Sequence, residues 1–258
     1  MKKNALFLLL LIVATTMSSQ TLLNGDLNHD GVIDIADVTA LVNVTVGKSQ
    51  AEVINVAPVV PDPHEYVDLG LPSGTLWATC NVGAENPEDY GDYFAWGETK
   101  PKDAYLWSNY QHCKGSYETI TKYCNYSYFG YNDFTDDLTE LELNDDAAYV
   151  NWGTNWRMPT KEQQDELWME CTSNWTTRNG VDGREVIGPN GNSLFLPATG
   201  YRDGTTYFAS GSVCYLWSRT LESGPNGSAL YSALSRVEFY VTYMQRCLGL
   251  PIRPVRAS

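Results

Sequence analysis

Between residues 65 and 256, apolar positions come in short alternating or continuous runs broken by Gly, Pro, Asn and Asp. That texture belongs to strands and turns, not to long helices. The stretch EYVDLGLPSGTLWATCNVG predicts two strands joined by a turn at Pro72, Ser73 and Gly74. Further strands are expected at 194–199, 213–218, 229–234, 237–241 and 250–255. Two helices interrupt them. In KEQQDELWMECT, Thr160 and Gln163 have capping-box spacing, in which a hydroxyl and an amide each satisfy a free backbone N–H. Gln164, Leu167, Trp168 and Cys171 then share one helical face. In DDAAYVNW, Asp145 and Asp146 suit the positive end of a helix dipole. Few helices among many short strands give an α+β class.

Nearer the amino terminus the pattern differs. IADVTALVNVTVG places Val38, Leu41, Val42 and Val46 on one helical face, and Gly47 supplies the stop. From 48 to 64, Pro58, Pro61 and Pro63 favour extended backbone, so a linker is expected there. The first 19 residues, MKKNALFLLLLIVATTMSS, combine Lys2 and Lys3 with an apolar run from Leu6 to Ala14 and small polar residues after it. This is the build of a secretory signal peptide. The run is too short to span a bilayer comfortably and no longer one follows, so no stable membrane span is expected after cleavage. The expected destination is the periplasm, the cell surface or the medium.

Composition narrows the partners. The formal net charge is −14, and loss of Lys2 and Lys3 with the leader takes it to −16. Nucleic acid and anionic membrane would be repelled. Eight Trp, seventeen Tyr and seven Phe supply enough apolar surface for a folded core. The six cysteines, at 80, 113, 124, 171, 214 and 247, have no paired zinc-ligand spacing, and their pairing is not ranked by sequence. Structural roles are expected for all of them, including buried free thiols, since a chain this long does not need staples.

The strongest chemical motif is DLNHDGVIDIAD. Asp26, Asn28, Asp30 and Asp34 occupy positions 1, 3, 5 and 9 of a twelve-position calcium loop, and Gly31 takes the sharp turn at position 6. Val32 offers its carbonyl from position 7, and Asp37 closes the shell at position 12. Ca2+ is therefore the expected cofactor. His29 falls at a non-ligand position. The loop and its helix, residues 20–47, resemble a single dockerin repeat, whose loops end in Asp and lack a preceding helix. Dockerins use two such repeats to bind cohesin. DFTDDLTELELN at 133–144 lacks the turn glycine and the ligand spacing, so this is half a dockerin, and that argues against a cohesin-like partner. The helix stripe either packs on the main domain or meets another chain.

From 65 to 258 the strings EYVDLGLPSGTLWATCNVGA, PEDYGDYFAWGET, DDAAYVNWGTNWRMPT, GPNGNSLFLPATGYR and GLPIRPV resemble, in order, the Fibrobacter succinogenes major paralogous domain, a module of secreted Bacteroidetes proteins. That domain is similar to the C-type-lectin-like fold of formylglycine-generating enzymes and of retroelement-diversified receptors. The resemblance implies termini brought together and irregular loops displayed on a small sheet. It also implies ligand-facing residues in roughly the stretch from Cys214 to Arg246, where Trp217, Arg219, Tyr240, Tyr243 and Arg246 are the candidates. The Tyr, Ser, Arg and Asn content there suits an adaptable binding surface, and ordinary strands and hairpins account for it equally. The calcium-sugar motifs of lectins are not matched: Gly188-Pro189-Asn190 and Gly224-Pro225-Asn226 put glycine where the acid or amide belongs. Trp96, Trp107, Trp152, Trp156 and Trp217 are sugar-stacking candidates, with core packing the alternative for each.

Catalytic motifs do not accumulate. The three histidines are His29, His64 and His112, and His112 beside Cys113 belongs to no known local motif. The carboxylates at 133–146 read as a solvated acidic surface. The expected protein is an exported, calcium-binding, non-catalytic module for a glycan or protein ligand. The alternatives are an accessory subunit of a polysaccharide-degrading assembly and, third, an uncharacterised hydrolase. Calorimetric titration of the full chain with calcium is expected to give one site that disappears in Asp30→Ala. No heat of binding, or binding unchanged in that variant, removes the metal-loop reading.

Overall fold

The computed structural model describes residues 62–221 and 227–256. The chain divides after Pro61, and its second unit begins at Asp62. The expected leader, the calcium loop with its helix and most of the linker lie outside the described residues. Among the described residues, eleven strands and two α-helices form a mixed architecture of small antiparallel sheets.

The unit opens with β1 (Tyr66–Asp68) and β2 (Leu76–Ala78), which pair antiparallel. The turn between them closes through Gly74 N donating to Leu71 O at 2.9 Å, with Gly74 at a φ of 72° that disfavours a side chain. The other side of β2 takes β11 (Val255–Arg256), so Trp77 faces Val255 and the two ends of the unit share one sheet. Arg253 locks this seam from inside. Fully buried, it donates from Nε to Asn81 Oδ1 at 2.8 Å and from one terminal nitrogen to the carbonyls of Ala78 and Thr79. Asp62 ties the entering chain to the same end, accepting from Trp156 Nε1 at 2.6 Å and from Arg256 at 3.3 Å.

Both expected helices are present. In α1 (Ala147–Trp152), Asp146 is the N-cap and its Oδ1 accepts from the N–H groups of Ala148 and Tyr149. The same carboxylate accepts from Met158 N at 3.0 and 3.1 Å, so one buried side chain fixes both the helix start and the returning chain. In α2 (Lys161–Glu170), Thr160 and Gln163 make the capping box. Gln164 and Leu167 are buried, Trp168 and Cys171 half-buried, as their shared face requires. Burial of Leu167 alone contributes roughly 1.5–3 kcal/mol.

Strands β3 (Thr172–Arg178), β4 (Val181–Ile187) and β5 (Ser193–Pro197) form one sheet. The turn between β3 and β4 is Asn179-Gly180, both at positive φ (48° and 85°), the arrangement whose twist suits a two-residue hairpin. A short hairpin, β6 (Tyr201–Asp203) with β7 (Thr206–Phe208), precedes the central sheet. That sheet is β8 (Cys214–Leu221), β9 (Ser228–Leu234) and β10 (Phe239–Gln245), in the order β10-β9-β8. Its two faces feed separate cores: Tyr215, Trp217, Tyr231 and Ala233 on one side, Cys214, Leu216 and Leu234 on the other. α2 closes the second side, with Gln164 Nε2 donating to Leu216 O at 3.3 Å and Trp217 O at 3.1 Å.

Two expectations need correction. The run 250–255 is not a continuous strand: Leu250 makes an isolated bridge to Phe94, and regular pairing begins only at Val255. Pro251 and Pro254 lack the N–H groups a ladder needs. The strand expected at 237–241 starts at Phe239 and runs on to Gln245, because Ser235 to Glu238 is consumed by the hairpin turn. Cys80, Cys113, Cys171, Cys214 and Cys247 are free thiols, and Cys113, Cys124, Cys214 and Cys247 are buried. Among the described residues no helix is long and apolar enough to cross a membrane.

Asp146→Ala removes a cap and strands buried N–H groups at three residues. The variant is expected to unfold about 2–4 kcal/mol more easily in urea, and Asp146→Asn, which keeps one acceptor oxygen, to lose less.

Candidate functional site

Opposed residues in an antiparallel sheet point to the same side, so register decides what β8, β9 and β10 present together. Tyr215 and Tyr240 both face Ala233, while Trp217 and Thr242 both face Tyr231. The small side chain of Ala233 lies between the rings of Tyr215 and Tyr240 on the neighbouring strands. The β6–β7 hairpin continues the surface. Phe208 stacks on Tyr201 with ring centroids 5.4 Å apart, and Tyr201 meets Tyr215 edge-on at 5.2 Å. Tyr215 stacks on Tyr231 at 5.5 Å. Tyr207, opposite Arg202 and out of phase with Phe208, points to the other face of the hairpin, beside Tyr93 and with the Arg202 guanidinium 5.0 Å from its ring. The result is a chain of ring contacts from Phe208 on the hairpin to Tyr231 on the middle strand, with Tyr240 of the outer strand across Ala233 from Tyr215.

Burial is graded along this strip. Tyr231 and Tyr215 are 5% and 8% exposed, whereas Tyr240 and Phe208 reach 39% and 41%. The inner rings are therefore held rigidly while the outer ones offer free faces, the arrangement of a binding platform. The hydroxyls converge as well. Burial pushes the Tyr215 phenol up to about 12, helped by the nearby hydroxyls of Tyr240 and Tyr201. Tyr231 is also raised, by burial first and then by Tyr240, Tyr215 and Tyr201, and Tyr240 engages it through its side chain. Phenols raised in this way stay neutral at physiological pH. Tyr215 and Tyr231 can each donate and accept a hydrogen bond, and neither is a base there.

The structure divides the sequence-predicted residues. Tyr240 belongs to the strip. Trp217 lies beneath it, fully buried, with its indole N–H given to Phe94 O at 2.8 Å and its ring edge-on to Tyr231. Tyr243 is 61% exposed but one residue out of phase with Tyr240, so it points to the opposite face. Arg219 is paired with Glu140 at 3.1 Å. Arg246 is fully buried, donates from Nε to Ser228 O at 3.0 Å, and packs 5.2 Å from the Trp96 ring centroid. The expected calcium ligands Asp26, Asn28, Asp30, Val32, Asp34 and Asp37 lie outside the described residues, as does 222–226 within the C-terminal candidate stretch. Among the described residues no group of three or more His, Cys, Asp or Glu is placed to hold a metal ion.

Of the tryptophans offered for stacking, Trp96, Trp156 and Trp217 are core residues. Trp107 and Trp152 are half-buried; Trp107 donates to Gln245 Oε1 at 3.0 Å, and one face of Trp152 is covered by His64 at 3.8 Å. His112 and Cys113 point to different partners. His112 Nε2 sits 3.0 Å from Gly97 O, and the Cys113 thiol donates to Trp107 O at 3.2 Å. Burial lowers the imidazole pKa and raises that of the thiol, the reverse of an activated Cys-His pair.

Two clefts compete with the strip. One, about 400 Å³, lies between His64, Thr79, Cys80, Glu85 and Trp152. The other, about 390 Å³, lies between Glu98, Lys100, Lys102, Asn109 and Gln111. In the second, the charges are spent on each other: Glu98 pairs with Lys102 at 2.8 Å and accepts from Gln111 N at 2.7 Å. A looser group of exposed rings, Tyr117, Tyr126, Tyr128, Tyr131 and Phe134, sits on irregular chain. The strip differs in resting on paired strands, with buried inner rings behind its exposed ones.

Sequence reading missed Tyr201, Phe208, Tyr215 and Tyr231. A signal was present: Tyr215 and Trp217 are two apart on an expected strand, and Tyr231 sits between Ala229 and Ala233 at the same period. What it lacked was the register that superimposes them. Among protein-family models, curated proteins and solved structures, none matches the chain.

A phenol whose folded pKa is raised stabilises the fold fully below its unfolded value, near 10, and loses that contribution as pH rises through the folded value. Stability is therefore expected to fall between pH 10 and about 12, the window set by Tyr215. Absorbance at 295 nm, followed beside circular dichroism, checks this. The inner phenols are expected to ionise only as the protein unfolds; every tyrosine ionising in one step near pH 10 with the fold intact contradicts it.

Proposed function

We propose that this chain is an exported, non-catalytic binding protein whose tyrosine strip takes a glycan. One observation carries the reading: Tyr201, Tyr215, Tyr231 and Tyr240 lie close to one another beside the open ring of Phe208. A sugar ring has an apolar C–H face and a belt of hydroxyls. An aromatic face answers the first, and neutral donor-acceptor groups answer the second without the desolvation cost of a charge. The inner rings are pre-ordered, so little conformational entropy is lost on binding.

The resemblance to the Fibrobacter succinogenes major paralogous domain and its C-type-lectin-like relatives supports the same reading. The pairing of β2 with both β1 and β11, which joins the two ends of the unit, agrees with that fold. The calcium loop, with Asp26, Asn28, Asp30, Val32, Asp34 and Asp37 as ligands, is read as a metal-stabilised amino-terminal segment. Its dockerin-like ligand spacing favours a second reading, an accessory subunit that delivers a polysaccharide-degrading assembly to its substrate.

A glycan array followed by polysaccharide pull-down tests the proposal. Retention without release of sugar is expected, and Tyr240→Ala is expected to weaken it about three- to tenfold, the scale of one aromatic contact. Tyr128→Ala, on the irregular chain elsewhere, should leave retention unchanged. No retained saccharide, or full retention by Tyr240→Ala, removes the glycan reading, and liberated sugar would make the chain an enzyme.

A further inference from the structure

The outer strand of the central sheet has a free edge. β10 has β9 on one side and, among the described residues, no strand on the other. Its sequence, FYVTYMQ, contains no charge and no proline, although the chain as a whole carries −14. Sheet edges are ordinarily protected by lysine, proline, a bulge or a short strand. This seven-residue edge has none of the first two, and its pairing with β9 runs in continuous register.

The ladder fixes which backbone groups that edge presents. Ser235 N donates to Glu238 O at 2.9 Å at one end, and Arg246 N donates to Gly227 O at 2.7 Å at the other. Bonded and non-bonded pairs alternate in an antiparallel ladder, so Tyr240, Thr242 and Met244 hold the bonds to β9. Phe239, Val241 and Tyr243 then turn their N–H and C=O groups outward.

We propose that β10 pairs antiparallel with β10 of a second copy of this chain, about a two-fold axis through Thr242. The register follows from the free groups. Centring on Thr242 sets Val241 opposite Tyr243 of the other copy, so each outward N–H meets an outward carbonyl, and the symmetry repeats the pair. Side chains agree with it: a β-branched residue faces an aromatic, threonine faces threonine, and Tyr240 faces the thioether of Met244. Any other centre within the strand loses one of these matches. The contact also covers Tyr243, which is 61% exposed in the single chain. With the axis perpendicular to the sheet, two three-stranded sheets become one of six strands and both tyrosine strips lie on the same side. The pairing stands whether or not the strip binds glycan.

Sedimentation equilibrium of the purified full chain over a wide concentration range is the test. A reversible dimer is expected. Val241→Pro removes an outward N–H and no bond to β9, and Tyr243→Lys puts a charge into the edge; each is expected to weaken dimerisation at least about tenfold. Near-ultraviolet circular dichroism like that of the parent chain establishes that the variants are folded. A chain that stays monomeric at every concentration, or a dimer untouched by both folded variants, overturns the proposal.

Discussion

A sheet with packing on both faces must put a different set of residues on each, and in this unit that constraint governs the rest. In β8 and β9 the alternation sends Tyr215, Trp217, Tyr231 and Ala233 one way, and Cys214, Leu216 and Leu234 the other. A one-residue slip would exchange the two sets and bury phenol hydroxyls against the helix. Gln164 anchors β8 to the helix on that side, its amide donating to the carbonyls of Leu216 and Trp217. Arg253 and Asp146 serve the same end from the periphery, one tying the last strand to the first, the other joining the α1 start to the returning chain.

The tyrosine strip is a by-product of that alternation, modified by size. Ala233 on the middle strand sits between Tyr215 and Tyr240 of its neighbours, and the β6–β7 hairpin extends the surface. Because the inner rings are buried and the outer ones open, rigidity and access occur within one surface. The inner hydroxyls of Tyr215 and Tyr231 stay neutral for the same reason that they are well placed: burial disfavours the phenolate.

Closure of the unit is uneven. The first and last strands meet on β2, which removes that seam from solvent, whereas β10 ends the central sheet with its outer backbone groups unpaired by any described residue. An uncharged edge in so acidic a chain lets two copies approach there without bringing carboxylates together. Strip and edge lie on the same strand, with Tyr240 in one and Tyr243 beside the other.

Much of the local structure was legible from residues alone. The Thr160 capping box, the helix at Asp146, the turn at Gly74 and the strands through 194–199, 213–218 and 229–234 rest on short-range rules that operate within a few residues. Asn179-Gly180 carried an equally local hairpin signal that the broader periodicity concealed. The expected calcium loop is likewise read from spacing within twelve residues, and it lies outside the described residues. What only tertiary structure decided was register and burial among distant segments. Trp217 and Arg246 look like surface contacts in a tyrosine- and serine-rich stretch, yet both are enclosed, and Tyr240 and Tyr243 part to opposite faces. Sequence specifies period; which phase faces which neighbour is set by packing between residues far apart in the chain, and the candidate site exists only at that level.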